Sequence, residues 1–259
     1  MAQLRNPKGG CPWDLEQTFQ TVAPYTLEET YEAVEALESG DAKAIKEELG
    51  DVLFQIVFHA RMGEEQGLFD FNEIAGAVAD KMVERHPHVF AKRNAKTAGA
   101  VVANWEADKA KKREAEAKAQ NRAISTLDGV STALPAPTRA VKLQNRAARV
   151  GFDWTDARDI LAKIREEIGE LEAEIGGDKD AVEDELGDLY FAIVNLARRL
   201  EVDPEAALRR TNRKFERRFR EIETRLTKKG VAMKDASLDK MEKIWVEIKT
   251  EEKRLKKTG

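Results

Sequence analysis

Residues 165–194 read REEIGELEAEIGGDKDAVEDELGDLYFAIV, and the fold turns on this stretch. Val182, Leu186, Leu189 and Ile193 recur at three-to-four spacing, the period of an α-helix with one buried stripe. Gly176-Gly177 interrupts the pattern, so the stretch holds two helices with a break between them. Their acids come in pairs three residues apart, Glu167 with Glu170 and Glu185 with Asp188. That spacing puts both members of a pair on nearly one side of a helix. Antiparallel packing of the two helices would gather four carboxylates at one point. Like charges so placed repel, and the cluster calls for a cation.

The same passage stands earlier in the chain. LEETYE at 27–32 and EELGDVLFQIV at 47–57 supply Glu29, Glu32, Glu48 and Asp51, with Ile45, Leu49, Val52 and Ile56 as the apolar stripe. Other segments follow in the same order in both halves. WDLEQTF at 13–19 has a looser counterpart in FDWTDAR at 152–158, and DKMVER at 80–85 stands where NRKFER stands at 212–217. Aligned without gaps from the shared lysine, Lys81 matches Lys214 and Arg85 matches Arg218; WEADK at 105 and WVEIK at 245 close the two copies. The period is far longer than that of a solenoid, so a whole helical domain is duplicated. The expected fold is all-α: tandem domains at residues 1–124 and 138–259, joined by the linker STLDGVSTALPAP at 125–137. Clean period-two alternation is absent, and no sheet of consequence is expected.

Local signals set the expected boundaries. Thr26 caps a helix with Glu29 three residues on, Asp41 caps the next, and Asn72 opens a third that Pro87 ends. Residues 88–100 read as loop, followed by a charged helix from Asn104 to Arg122. In the second half a helix spans Arg139 to Val150, Asp153 or Thr155 opens the one carrying Glu167, and Asp180 to Leu200 forms its partner. Pro204 suits the first position of a helix running towards Gly230, and Ser237 caps the last. Gly50 and Gly187 sit inside helices, where glycine costs about 1 kcal/mol relative to alanine. Close approach of another helix or a ligand is the expected reason.

The 259 residues suffice for two ordinary domains. With 48 acids against 44 bases the net charge is −4, which argues against wholesale coating of nucleic acid. Cys11 stands alone, which excludes an internal disulfide or a cysteine-rich zinc cluster and suits a reducing compartment. MAQLRNPKGG lacks an apolar signal core, and no run long enough to span a membrane occurs, so the expectation is a cytoplasmic protein with no membrane partner.

Oxygen ligands without clustered His or Cys suit Mg²⁺, with Mn²⁺ able to substitute. His59, His86 and His88 form no zinc motif, and His59 lies on an apolar helix as a hydrogen-bonded core residue. Carboxylate-held Mg²⁺ usually serves substrate phosphates, which also need basic partners. Lys214, Arg217 and Arg218 follow the second set of acids; Lys214 with Arg218, four apart, is the stronger couple. No Walker loop, Ser-His-Asp or Cys-His arrangement is present.

Taken together these residues resemble the MazG family of nucleoside triphosphate pyrophosphohydrolases in its long, two-domain bacterial form. The resemblance rests on GCPWD at 10–14, YTLEETYE at 25–32, EELGDVLFQIVFHA at 47–60, ERHPHVF at 84–90, VGFDW at 150–154, EDELGDLYFAIVNLAR at 183–198 and NRKFERRF at 212–219. It implies an all-α homodimer and cleavage of nucleoside triphosphates, deoxy forms and ATP included, to monophosphate and pyrophosphate in housecleaning of the nucleotide pool. Carried over by residue, Glu167, Glu170, Glu185 and Asp188 hold the metal, Lys214 and Arg218 meet the phosphates, Asn195 contributes to the substrate pocket, and Trp245 stacks on the base or packs in the core. Glu29, Glu32, Glu48 and Asp51 match the metal pattern in the first half. The resemblance implies that the second half is the catalyst and that the first can be silent despite a complete motif; Asn195 aligns with Phe58, so equal pockets are not expected. Glu167 is the expected proton acceptor for the attacking water. Alternatives are an enzyme restricted to one deoxynucleotide or to phosphoribosyl-ATP, and a helical module that senses nucleotide without turnover.

Overall fold

The computed structural model describes residues 1–91 and 97–258. The chain divides into two compact units, Met1–Lys111 and Lys112–Gly259. In chain order the helices are α1 (Pro12–Glu16), α2 (Phe19–Ser39), α3 (Ala42–Glu65), α4 (Phe71–Arg85), α5 (Pro87–Phe90), α6 (Ala98–Ala119), α7 (Ala136–Ala148), α8 (Ala157–Glu174), α9 (Lys179–Arg199), α10 (Pro204–Lys228) and α11 (Leu238–Thr258). Among the described residues there is no strand, so the all-α expectation holds.

Each unit is built on a helical hairpin, α2 with α3 in the first and α8 with α9 in the second. Gly40 (φ 75°) and Gly176 (φ 88°) supply the left-handed backbone that turns the chain at the two tips. Asp41 then caps α3 by accepting from the Lys43 N–H at 2.9 Å. In the first unit Val22 from α2 packs with Phe58 and Met62 from α3, backed by Phe19. Arg5 is 8% exposed, donates to Glu65 Oε2 at 2.8 and 2.9 Å, and lies 5.5 Å over the Phe58 ring. A charge buried this deeply needs such a partner. Gly63 is obligatory: a Cβ there would lie 2.5 Å from the Phe69 ring and 2.7 Å from the Phe69 carbonyl. In the second unit Ile222 and Leu226 of α10 meet Ile244 and Ile248 of α11, with Trp245 packed alongside.

Several local expectations are corrected. Thr18, not Thr26, caps the first long helix, sharing reciprocal bonds with Thr21 of 3.3 and 2.9 Å. The Thr26 hydroxyl instead meets His59 Nε2 at 2.9 Å, and burial of Val22 draws the helix back through Pro24. His59 thus holds as a hydrogen-bonded residue, stacked on Phe19. Asp156, not Asp153 or Thr155, caps α8, accepting from the Arg158 N–H at 2.8 Å. The other two are engaged elsewhere: Asp153 pairs with Arg198, and the Thr155 carbonyl accepts from Arg199. Of the expected loop at 88–100, residues 87–90 form the helical turn α5 and α6 begins at Ala98, while 92–96 lie outside the described residues. Among the described residues, Gly50 and Gly187 have no atom within 4 Å of a Cβ built there, so none of the described helices requires them to be glycine.

Candidate metal and phosphate site

The two hairpins bring carboxylates together where the pair spacing places them. Oxygens of Glu167, Glu185 and Asp188 all lie within 4.8 Å of one another, as do those of Glu29, Glu48 and Asp51. Three acids of each expected four converge; Glu32 and Glu170 are exposed and stand outside the triads. Both remain electrostatic neighbours. Burial, then Asp51, Glu32 and Glu48, pushes the Glu29 carboxyl above its ordinary range, and burial with Glu32 and Asp51 does the same to Glu48. Glu170 is pushed up first by the adjacent Glu167 carboxylate and then by burial, with Lys163 pulling the other way.

Burial is graded across the second triad. Glu167 is 4% exposed, Glu185 half-buried and Asp188 exposed, so the cluster opens to solvent at its Asp188 end. Glu167 Oε2 is buried with no hydrogen-bond partner among the described residues, while Oε1 takes Lys163 Nζ at 2.8 Å. An orphaned buried carboxylate oxygen beside two further carboxylates is a donor set that fits a divalent, oxygen-preferring cation. Lys163 also meets Glu166 at 2.8 Å, and these two acids raise its pKa. At the corresponding place in α2 stands Tyr25. Sequence reading missed Lys163; its signal was the four-residue step to Glu167, which seats one side chain over the other.

The basic residues group on α10 and α11. Arg218 donates to Glu252 Oε2 through Nε at 3.1 Å and Nη2 at 2.7 Å, and Arg217 donates to Oε1 at 2.7 Å. The two guanidiniums hold the Glu252 carboxyl down at about 2. Arg218 also lies 5.2 Å over the Trp245 ring, and Trp245 contacts Phe215 at 5.6 Å between centroids. Trp245 therefore packs in the α10–α11 core. Lys214, half-buried, lines an open cavity of about 1030 Å³ with Arg210, Arg217 and Glu252. Glu252 was not foreseen, because its partners lie 34 and 35 residues away. Lys81 and Arg85, their counterparts in the first unit, are both exposed on α4.

Asn195 is 4% exposed on α9, and its Oδ1 accepts from Arg198 Nε at 3.0 Å and Nη2 at 2.8 Å. It lies two turns beyond Asp188, on nearly the same side of the helix. Its counterpart Phe58 is 1% exposed within the first unit's core. A buried amide thus stands in the second unit where the first has a buried phenyl ring.

The MazG nucleotide pyrophosphohydrolase domain matches the chain twice, over residues 17–90 and 156–222, and each match spans one hairpin with its carboxylates. The nucleoside triphosphate pyrophosphohydrolase of Escherichia coli K12 is 48% identical over 97% of this chain and 95% of its own length. The nucleoside triphosphate pyrophosphohydrolase/pyrophosphatase MazG of Thermotoga maritima is 39% identical over 96% of this chain and 92% of its own. YabN of Bacillus subtilis, an uncharacterized protein, is 44% identical over 97% of this chain, which spans 50% of that longer protein.

Proposed function

The chain belongs to the MazG nucleotide pyrophosphohydrolase family, and from that premise we infer that it is a nucleoside triphosphate pyrophosphohydrolase. Water attacks phosphorus, the bond joining the α phosphate to the departing pyrophosphate breaks, and nucleoside monophosphate leaves with pyrophosphate. The observation that most supports the site is the orphaned Glu167 Oε2 beside Glu185 and Asp188. We assign Mg²⁺ to these three side chains with Glu170 nearby, and a second Mg²⁺ site to Glu29, Glu48 and Asp51 with Glu32 nearby; Mn²⁺ can substitute. The cation, when bound, neutralises polyphosphate charge and activates water.

The chain's own residues divide the remaining work. Glu167 accepts the water's proton on a carboxylate oxygen, in a setting dry enough to favour transfer. Lys214 and Arg218 stabilise the charge on the leaving pyrophosphate, and Arg218 releases Glu252 to do so. Trp245 holds Arg218 in place for that role. We place catalysis in the second unit, where Asn195 replaces Phe58, and keep residues 1–124 and 138–259 as the two copies with 125–137 between them. A homodimer fits the apolar side chains left exposed on matching positions of α3 and α9, among them Leu49 with Leu186 and Ile56 with Ile193. Broad housecleaning of nucleoside and deoxynucleoside triphosphates in the cytoplasm is the assigned role.

Incubation with a panel of nucleoside and deoxynucleoside triphosphates and phosphoribosyl-ATP in Mg²⁺, followed by phosphorus NMR, tests the reading. Monophosphate and pyrophosphate from many bases are expected. Turnover of one panel member alone would establish narrow specificity, and binding without products would make the chain a sensor.

A further inference from the structure

The cavity of about 1030 Å³ between α10 and α11 is far larger than a pyrophosphate group needs. Its lining carries four cations, Arg210, Arg213, Lys214 and Arg217, against two acids, Asp203 and Glu252. Both acids are already engaged. Asp203 Oδ1 accepts from the Ala206 N–H at 3.0 Å, and Glu252 takes Arg217 and Arg218 at 2.7 Å each. Arg210 and Lys214 have no hydrogen bond or ion pair among the described residues. Positive charge left uncompensated in a concave surface favours an anion there.

The cations are also ordered. Arg210, Lys214 and Arg218 recur every four residues, which sets them in a row along one side of α10 with steps of about 6 Å. The Arg218 end is packed, with the Trp245 ring at 5.2 Å and Phe215 against that ring. The open space lies at the other end, past Lys214 and around Arg210, and it finishes on the uncharged Val202, Ala206 and Ala207. Lys214 and Arg218 serve the two phosphates of the departing pyrophosphate, so a longer leaving chain has one further cation to meet. In the first unit, Ala77 stands at the place of Arg210.

We propose that the second unit also cleaves nucleoside 5′-tetraphosphates, with Arg210 holding the third phosphate of a departing tripolyphosphate. The bridge between the α and β phosphates breaks, the oxygen of water joins one product, and its protons are divided between nucleoside monophosphate and tripolyphosphate. Nothing is oxidised or reduced. The proposal rests on the reading of the chain as a nucleoside triphosphate pyrophosphohydrolase.

The test compares ATP with adenosine 5′-tetraphosphate on the full-length chain in Mg²⁺, with products identified by phosphorus NMR. The expected kcat/KM favours the tetraphosphate about threefold or more, with AMP and tripolyphosphate as products. Arg210→Gln is expected to bring that ratio to near one, and Arg210→Lys to keep part of it. A wild-type ratio of one or below, ADP and pyrophosphate as the products of the tetraphosphate, or an advantage that survives Arg210→Gln overturns the proposal. Absence of any ATP turnover by the wild type would instead overturn the pyrophosphohydrolase reading. The wild-type ratio and its products need no variant to fold.

Discussion

At the scale of single residues, the two triads offer the same donor types in different surroundings, and mutation separates them. Asp188→Ala is expected to lower kcat/KM at least a hundredfold, because it removes a cation ligand at the open end of the second triad. Asp51→Ala is expected to cost less than threefold. Steady-state kinetics at saturating Mg²⁺, with circular dichroism to verify the fold, decides this; the reverse order would move catalysis to the first unit. The members of both triads were legible from sequence because pair spacing and helix period together fix which acids share a side. That Glu32 and Glu170 stand outside was not legible, since the period places a side chain on a face without saying where its tip ends. Lys163 and Glu252 were missed for another reason. Each matters through a partner or an unmet need that only the packed structure reveals.

At the scale of elements, the helices were legible where caps and breakers act locally, as at Asp41, Gly40 and Pro204. They were misread where a cap competes with a tertiary partner. Asp153 has as good a capping side chain as Asp156, but Arg198 takes it, and nothing near it in sequence announces that. The helical glycines bear a prediction. With open space beside both, Gly50→Ala and Gly187→Ala are each expected to stabilise the protein by up to about 1 kcal/mol through helix propensity alone. Urea unfolding measures it. A loss of stability at either site, with a concentration-dependent midpoint, would mean that a second copy packs against that glycine.

For the molecule as a whole, charge gathered at the hairpins should make stability answer to pH and to metal together. Glu29, Glu48 and Glu170 have pKa values raised above the ordinary 4.5. Their folded forms keep protons that the unfolded chain gives up, so the stability they add is present below about pH 4.5 and is lost as pH rises through their raised values. Glu252, held down to about 2, works in the opposite sense: its contribution is present above pH 4.5 and fades as pH falls towards 2. Without metal, melting temperature is expected to decline from pH 5 to 7; Mg²⁺ should flatten that decline. Calorimetric scans with and without Mg²⁺ would show it, and a metal-free protein no less stable at pH 7 than at pH 5 would remove the repulsion argument. Light scattering at micromolar concentration is expected to give a dimer mass, and a strictly monomeric mass would leave the exposed apolar side chains of α3 and α9 without an occupant.

Lys163 makes the second site a vessel with a stopper tied to its rim. A cation arriving at Oε2 meets an ammonium group already held 2.8 Å from Oε1 of the same carboxylate, and the two positive charges oppose each other. Tyr25 offers no such stopper in the first unit. The first triad should therefore fill at lower Mg²⁺ than the second, and the second should fill more readily once a polyphosphate gives the lysine another anion. Lys163→Met is expected to tighten metal binding at the second triad at least threefold in calorimetry without nucleotide; unchanged or weaker binding would mean that the lysine does not compete.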